Sequence, residues 1–179
     1  MTRSKITDII GLQNSLNPGQ RLLGLDVGQK AIGVAVSDSA LLIATPVATF
    51  KRVGLSADIQ ALKTLMENRH IGGFVIGLPI NMDGNEGPRC QSVRQFAKNI
   101  EPAFVLPTLL WDERLSTVAV RRGFIESDAN RSKLEKIIDQ EAASFILQGT
   151  LDLLKKNISE NKVVCGNGNQ VLLGELVQN

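Results

Sequence analysis

The sequence predicts a single α/β domain in which helices pack against a mixed β-sheet. Two apolar segments joined by a short glycine-containing turn open the pattern, and later apolar segments alternate with amphipathic ones. That order is typical of a hairpin-led sheet continued by strand–helix–strand crossovers. The 179 residues, 43% of them apolar and 21% charged, suffice for one hydrophobic core in an ordinary globular protein.

The first three strands are predicted from the segments "RLLGLDVG", "AIGVAVSD" and "LLIATPVATF". Gly28, Gln29 and Lys30 separate the first two segments, which is a hairpin signal. Pro46 in the third segment favours an edge strand, because proline cannot donate to a sheet ladder.

Helices and strands then alternate. "SADIQALKTLMENRH" and "RCQSVRQFAKNI" show helical periodicity, whereas "GGFVIGLP" and "FVLPTLLWDER" indicate strands. "VAVRRGFIES" and a longer stretch, roughly 131–156, predict two further helices. The sequence therefore predicts a five-stranded mixed sheet in residues 21–157. Residues 1–20 are expected to be an N-terminal appendage with one short amphipathic helix on Ile6, Ile9 and Ile10, and residues 158–179 a C-terminal tail.

Composition excludes several classes of protein. No apolar run is long enough to span a bilayer, and the N-terminus lacks the continuous apolar stretch of a secretory signal. Cys90 and Cys165 have neither disulfide-framework nor zinc spacing, and the single histidine, His70, rules out a site built on several imidazoles. We expect a cytoplasmic protein without a membrane partner.

Three acidic positions stand out at the ends or margins of predicted elements. Asp26 closes the first strand, Glu113 (preceded by Asp112) closes the "WDE" strand, and Asp139 lies at the margin of the last helix's apolar stripe. If the first strand and the "WDE" strand are neighbours, the helix brings Asp139 near both strand ends. Converging carboxylates repel one another unless cations neutralise them.

Oxygen-only ligands suit Mg²⁺ or Mn²⁺, and two such ions about 4 Å apart can clamp a phosphodiester. That chemistry needs no histidine or cysteine. Each position also has a structural interpretation: Asp26 caps a turn through the Gly28 amide, Asp112 and Glu113 form a solvated strand end, and Asp139 pairs with a nearby lysine. The sequence leaves open whether Asp112 or Glu113 is the principal metal ligand.

The segments "LLGLDVGQKAIGVAVSD", "VIGLPINMDGNEGP", "WDERLST" and "IDQEAASFILQGTLD" together resemble the YqgF/RuvX family over residues 21–154. The resemblance implies an RNase H-like fold, related to that of Holliday-junction resolvases. It also implies a divalent-metal-dependent nuclease, a hydrolase of phosphodiester bonds, that matures the 5′ end of the small-subunit ribosomal RNA precursor (pre-16S rRNA).

By that resemblance, Asp26, Glu113 and Asp139 are the catalytic and metal-binding residues. The segment from Arg114 to Lys136 holds six basic and three acidic residues, which favours phosphate contacts beside the site. Few aromatic residues are available for base stacking, so we expect recognition of nucleic-acid backbone and shape. The expected substrate-binding residues are Gly28, Lys30, Asn81, Asp83, Gly84, Arg114, Arg121 and Arg122.

Structured RNA in the precursor of the small ribosomal subunit is the expected partner, bound by a monomer or homodimer. A resolvase acting on junction DNA is the first alternative, and its paired nicks need a dimer. An actin-like ATPase is a weaker one, because the sequence shows no second phosphate loop. A non-catalytic ribosome-assembly factor is the last, and the acidic trio argues against it.

Overall fold

The computed structural model describes residues 5–115 and 141–157. The strands are β1 (Ile6–Thr7), β2 (Arg21–Val27), β3 (Ala31–Ser37), β4 (Ala44–Lys51), β5 (Ile71–Leu78) and β6 (Thr108–Asp112). The helices are α1 (Ile9–Ser15), α2 (Leu55–Met66), α3 (Pro88–Phe104) and α4, which is described over residues 141–157; a 3₁₀ turn, Glu113–Leu115, follows β6. No helix in these two ranges is long and apolar enough to cross a membrane.

The six strands form one mixed sheet in the order β1-β6-β5-β2-β3-β4. Strands β1, β6, β5 and β2 run parallel, and β3 and β4 continue the sheet as an antiparallel meander. The predicted hairpin is confirmed, and the Pro46-containing strand is at an edge. The predicted α/β class with a mixed sheet flanked by helices is therefore confirmed.

The strand count and one pairing differ from the sequence prediction. The sixth strand, β1, pairs in parallel with β6 through Ile6 and Thr7, so Ile6 does not belong to the helix. Two residues are too few to produce a recognisable alternation of apolar and polar positions. The expected adjacency of the first strand and the "WDE" strand is wrong: β5 lies between β2 and β6 and pairs with both.

Residues 8–15 connect β1 to the body of the domain. The Asp8 side chain caps α1 by accepting a 2.7 Å hydrogen bond from the Gly11 amide. Leu12 of this helix is fully buried. The proposed division into residues 1–20, 21–157 and 158–179 stays a prediction, with the N-terminal segment supplying one strand and one core side chain.

Each face of the sheet carries its own core cluster. The α2/α3 face buries large apolar residues of β2, β3 and β5 together with Leu62, Val93, Phe96 and Ile100 of the two helices. The α4 face, which α1 also covers, buries Leu22, Val75, Leu109 and Trp111 against Ala143, Ile146, Leu147 and Leu151. Strand β5 is buried along its whole length, which agrees with its continuous apolar sequence.

Candidate metal centre at the carboxyl ends of β2, β5 and β6

The carboxyl ends of the parallel strands β2, β5 and β6 meet at one edge of the sheet. Asp26 is the penultimate residue of β2, and Glu113 directly follows β6. Side chains alternate between faces along a strand, so Asp26 shares the α4 face with Leu22, and Glu113 continues the face of Trp111. The two carboxylates therefore lie at the same edge and on the same face.

Gly77 of β5 lies between the two carboxylates. Leu25 pairs with Ile76 across β2 and β5, so the next residues along the strands, Asp26 and Gly77, are level with one another. A Cβ atom added to Gly77 would lie 2.6 Å from Glu113 Oε1, so the Glu113 carboxylate lies directly over this glycine. Neighbouring strands are about 4.8 Å apart. The Ile146 side chain also lies over Gly77, where its Cδ1 atom would overlap an added Cβ. The structure thus places Asp26 and Glu113 on either side of Gly77, at one sheet edge and on one face.

Asp26 is buried, with 5% of its surface exposed. Its antiparallel pairing partner on β3 is Gly33, and Gly24 is the preceding residue on its face. Asp26 is therefore surrounded in the sheet by glycines on both neighbouring strands. A carboxylate with this little access to water needs a compensating partner in order to stay ionised.

Asp112 and Glu113 are adjacent in sequence but point to opposite faces. Asp112 pairs with Leu78 on the α2/α3 side of the sheet. The Arg114 guanidinium donates to Asp112 from Nε at 3.0 Å and from Nη2 at 2.6 Å, and the Arg114 amide donates to Oδ1 at 3.0 Å. These hydrogen bonds lower the pKa of Asp112 and raise that of Arg114. Asp112 is thus ion-paired on the α2/α3 face, whereas Glu113 lies on the face of Asp26, and this difference in face favours Glu113 over Asp112 as the metal ligand.

The glycines near Asp26 have structural roles in packing and turning. A Cβ atom at Gly24 would lie 2.7 Å from the Cβ of Leu147 and 2.9 Å from the carbonyl oxygen of Ala143, so Gly24 admits α4 close to the sheet. A Cβ at Gly28 would lie 2.8 Å from the carbonyl oxygen of Ala31, to which the Gly28 amide donates at 2.9 Å. Close packing accounts for Gly24, and the tight turn accounts for Gly28.

The expected substrate loop, which follows β5, lies beside Arg114. The Gly84 amide donates to the Asn81 carbonyl at 2.9 Å, and Gly84 has a φ of +86°, a conformation that favours glycine. A Cβ there would lie 3.7 Å from Arg114 Nη1. The Asn85 amide and side chain both donate to Asp83 and lower the pKa of the Asp83 carboxyl, to which the charge of Arg114 also contributes.

The remaining predicted residues are divided between described and undescribed parts of the chain. Lys30 is exposed in the β2–β3 turn, at the same sheet edge as Asp26. Asp139, Arg121 and Arg122 lie outside the described residues, Asp139 two positions before the described part of α4. No group of three His, Cys, Asp or Glu side chains within 5–115 and 141–157 is arranged to hold a metal ion.

The structure points to two residues that sequence reasoning missed. Gly77 was hidden in the continuous apolar segment "FVIGLP", where nothing distinguishes it from a packing glycine. Arg52 donates to the Gly28 carbonyl, 24 residues away, from Nη1 at 3.0 Å. This contact could not be predicted, because no local sequence pattern connects residues that are 24 positions apart.

The donors at this edge fit a hard divalent cation. Asp26 and Glu113 offer only carboxylate oxygens and lie on one face of the sheet, on either side of Gly77. Oxygen donors of this kind are what Mg²⁺ and Mn²⁺ prefer. A shared cation also removes the repulsion between two adjacent carboxylates, one of them buried.

Comparison with known proteins shows which family the chain belongs to. Two relatives named "Putative pre-16S rRNA nuclease" align over most of the chain. The protein of Rhodospirillum rubrum is 49% identical over 148 residues, which are 82% of this chain and 92% of that protein. The protein of Rhizobium meliloti is 52% identical over 143 residues, which are 80% of this chain and 87% of the relative.

Solved structures are more distant. Thermus thermophilus RuvC, in complex with a Holliday junction substrate, is 10% identical and covers 78% of this chain and 96% of its own, with a TM-score of 0.48. The sequence profile described as "RuvX: Holliday junction resolvase" matches residues 20–153, three quarters of the chain. The chain therefore belongs to the RuvX family.

Proposed function

We propose that this chain is a divalent-metal-dependent nuclease that processes the 5′ end of pre-16S rRNA in the cytoplasm. The observation that carries the proposal is the position of Asp26 and Glu113, which lie on one face at one sheet edge with Gly77 between them. The names of relatives about half identical to this chain support the RNA substrate.

In this proposal Asp26 and Glu113 hold Mg²⁺ or Mn²⁺, and Asp139 supplies a third carboxylate. When bound, the cation supplies Lewis-acid chemistry that activates a water and stabilises the leaving oxygen. The chain's own task is to place a phosphate in line with the attacking oxygen.

Charged residues around this edge have separate tasks. Lys30 is exposed in the β2–β3 turn and contributes a cation to the substrate backbone. Arg114 is oriented by Asp112, which fixes the guanidinium beside the 81–84 loop. We propose that Arg121 and Arg122 add to the same phosphate-binding surface. Contacts of this kind position the substrate without reading its sequence.

A junction-DNA nuclease is the competing function, which is supported by the name of the matching family, "RuvX: Holliday junction resolvase". Both activities require the same carboxylates, so the substrate distinguishes them. Resolution of a four-way junction requires two coordinated nicks and hence a dimer, whereas trimming one RNA end is compatible with a monomer.

The test compares wild-type protein with Asp26→Asn in the presence of Mn²⁺, on a 5′-extended 16S rRNA fragment and on a four-way DNA junction. We expect the wild type to cleave the RNA. We expect the cleavage rate of Asp26→Asn to be lower by about 100-fold or more. The melting temperature of the variant should be unchanged or higher, because the substitution replaces a buried carboxylate with a neutral amide of similar shape. Equal cleavage by the variant contradicts the metal-nuclease assignment, and cleavage of junction DNA alone contradicts the RNA substrate.

A further inference from the structure

One arginine holds both ends of the turn that follows Asp26. The turn, residues 28–30, joins β2 to β3 at the sheet edge of the candidate metal centre. Arg52 Nη1 donates to the Gly28 carbonyl at 3.0 Å, and the Arg52 amide donates to the Lys30 carbonyl at 2.9 Å. Within the turn, the Gly28 amide donates to Ala31 at 2.9 Å. The first and last residues of the turn are therefore both tied to the residue directly after β4.

The guanidinium of Arg52 is itself held from two helices. Its Nε lies 3.5 Å from Oδ2 of Asp58 in the first turn of α2, and its Cζ lies 5.3 Å from the centre of the Phe96 ring in α3. The Asp58 side chain is 1% exposed, whereas that of Arg52 is 25% exposed. The cation is thus fixed between a buried carboxylate and an aromatic face, and only a narrow range of rotamers satisfies both contacts.

The Asp58 carboxylate is poorly compensated where it lies. Among the described residues, its Oδ1 atom is buried without a hydrogen-bond partner, and its contact with Arg52 is long. A buried carboxylate that lacks one partner lowers the stability of the fold. The role of Asp58 is therefore better explained by the orientation that it gives to the Arg52 guanidinium than by a gain in stability.

We infer that Arg52 is a positioning residue for the nuclease proposed above. It acts from the α2/α3 face, through the backbone of the turn, on the α4 face where Asp26 lies. Gly28 follows Asp26 by two residues, so a shift of its carbonyl moves the end of β2 and the carboxylate with it. The Arg52 backbone amide separately holds the Lys30 carbonyl, so a side-chain variant of Arg52 releases the Gly28 end of the turn and retains the Lys30 end. A displacement of about 1 Å at a reacting centre can cost about 100-fold in rate.

A direct phosphate contact by Arg52 would have different consequences. Removal of an arginine that binds phosphate raises KM and reduces the salt dependence of binding by about one unit of slope. Removal of a positioning residue lowers kcat and leaves the salt dependence unchanged. The two roles are therefore separable by kinetics measured at several salt concentrations.

The experiment uses the full chain with Arg52→Ala, Arg52→Lys and the control Arg69→Ala. Arg69 also donates to a backbone carbonyl, that of Leu65, but it precedes β5 and lies at the opposite edge of the sheet. Arg52→Lys keeps a cation beside Asp58 and lacks the planar fork that reaches Asp58 and Gly28 together, so it remains informative if Arg52→Ala unfolds. Amide hydrogen exchange of residues 28–32 and Mn²⁺-dependent cleavage of the RNA are measured.

For both Arg52 variants we expect faster exchange confined to the turn and a kcat about 10- to 100-fold below wild type, at an unchanged salt slope. Arg69→Ala should leave both quantities as in the wild type. A changed salt slope, unchanged kcat, or faster exchange spread over the whole sheet overturns the inference. If the wild type does not cleave RNA, the proposed function fails, whereas exchange in the turn still decides whether Arg52 holds it.

Discussion

The two faces of the sheet treat their carboxylates differently at the same edge. On the α2/α3 face, Asp58 and Asp112 are each ion-paired with an arginine of this chain, Arg52 and Arg114 respectively. On the α4 face, Asp26 and Glu113 lie at the same sheet edge, on either side of Gly77. The carboxylates of one face thus each have an arginine partner, whereas the other face brings two carboxylates to the same sheet edge.

This difference shows how a sheet can hold its orienting ion pairs on one face and its candidate metal ligands on the other. Alternation along β6 sends Asp112 and Glu113 to opposite faces although they are consecutive. Asp112 orients the Arg114 guanidinium, and Arg52 holds the carbonyl of Gly28 in the turn after Asp26. In the inference above, the ion pair on one face therefore positions a carboxylate on the other. Gly24 and Gly77 on the α4 face let the side chains and backbone of helix α4 approach the sheet closely.

The largest effect that distinguishes the faces is expected from Glu113→Gln compared with Asp112→Asn. Glu113→Gln removes a proposed metal ligand and should slow Mn²⁺-dependent RNA cleavage by about 100-fold or more. Asp112→Asn removes only the partner that orients Arg114, so a loss below about tenfold is expected. Initial rates with the same RNA at saturating Mn²⁺ give both values. A greater loss for Asp112→Asn would reverse the assignment of the two carboxylates.

A smaller effect is expected from Gly77→Ala, which adds a methyl group where the Ile146 side chain and the Glu113 carboxylate already lie. The new methyl group would overlap the Ile146 side chain and lie 2.6 Å from Glu113 Oε1, so the carboxylate has to move. Overpacking of this kind costs about 1–3 kcal/mol in the free energy of unfolding, and displacement of Glu113 should lower kcat by about tenfold or more. Urea denaturation and steady-state kinetics measure the two effects separately.

Gly73→Ala is the matched control for that variant. Gly73 lies on the same strand and face, at the opposite end of β5, where a Cβ would lie 2.9 Å from Leu12 Cδ1 and 3.1 Å from the Pro107 carbonyl oxygen. It should lower stability similarly and leave the activity of the folded protein unchanged. If both variants lose activity in proportion to stability, Gly77 has only a packing role.

The smallest effect concerns acid stability. The hydrogen bond from Arg114 lowers the pKa of Asp112 below its usual value of about 3.9. The stabilisation from the pair is therefore present above about pH 4 and is lost as the pH falls through the lowered pKa of the folded state. Asp112→Asn should lower the melting temperature near pH 7 by less than about 4 °C. Melting curves between pH 7 and 2 should show this difference shrinking towards acid, and a growing difference would contradict the assignment.

Local patterns in the sequence predicted the helices and strands that are long enough to show a periodic spacing of apolar residues. The hairpin, the buried strand β5 and the inward positions Val93, Phe96 and Ile100 of α3 followed from alternation and helical periodicity. Strand β1 did not, because two residues carry no periodicity. The order of β2, β5 and β6 also did not, because pairing of parallel strands depends on how crossovers pack rather than on any local signal.

The candidate site was predictable in part. The positions of Asp26 and Glu113 at strand ends predicted that they share a sheet edge, and alternation from Trp111 predicts that Glu113 and Asp112 lie on opposite faces. Their role as metal ligands stays a prediction. Arg52 was not predictable, since its contacts with Gly28, Asp58 and Phe96 join four separate elements. Contacts between distant segments become visible only in the folded chain.

The most direct test of the account is the affinity for Mn²⁺ of the wild type, Asp26→Asn, Glu113→Gln and Asp112→Asn, measured by calorimetry without substrate. The account predicts that Asp26→Asn and Glu113→Gln each weaken Mn²⁺ binding by at least about tenfold, because each removes a charged ligand of one shared cation. Asp112→Asn should change the affinity by less than about threefold. Equal affinities in all four proteins, or the greatest loss in Asp112→Asn, would contradict the claim that Asp26 and Glu113 form the metal centre.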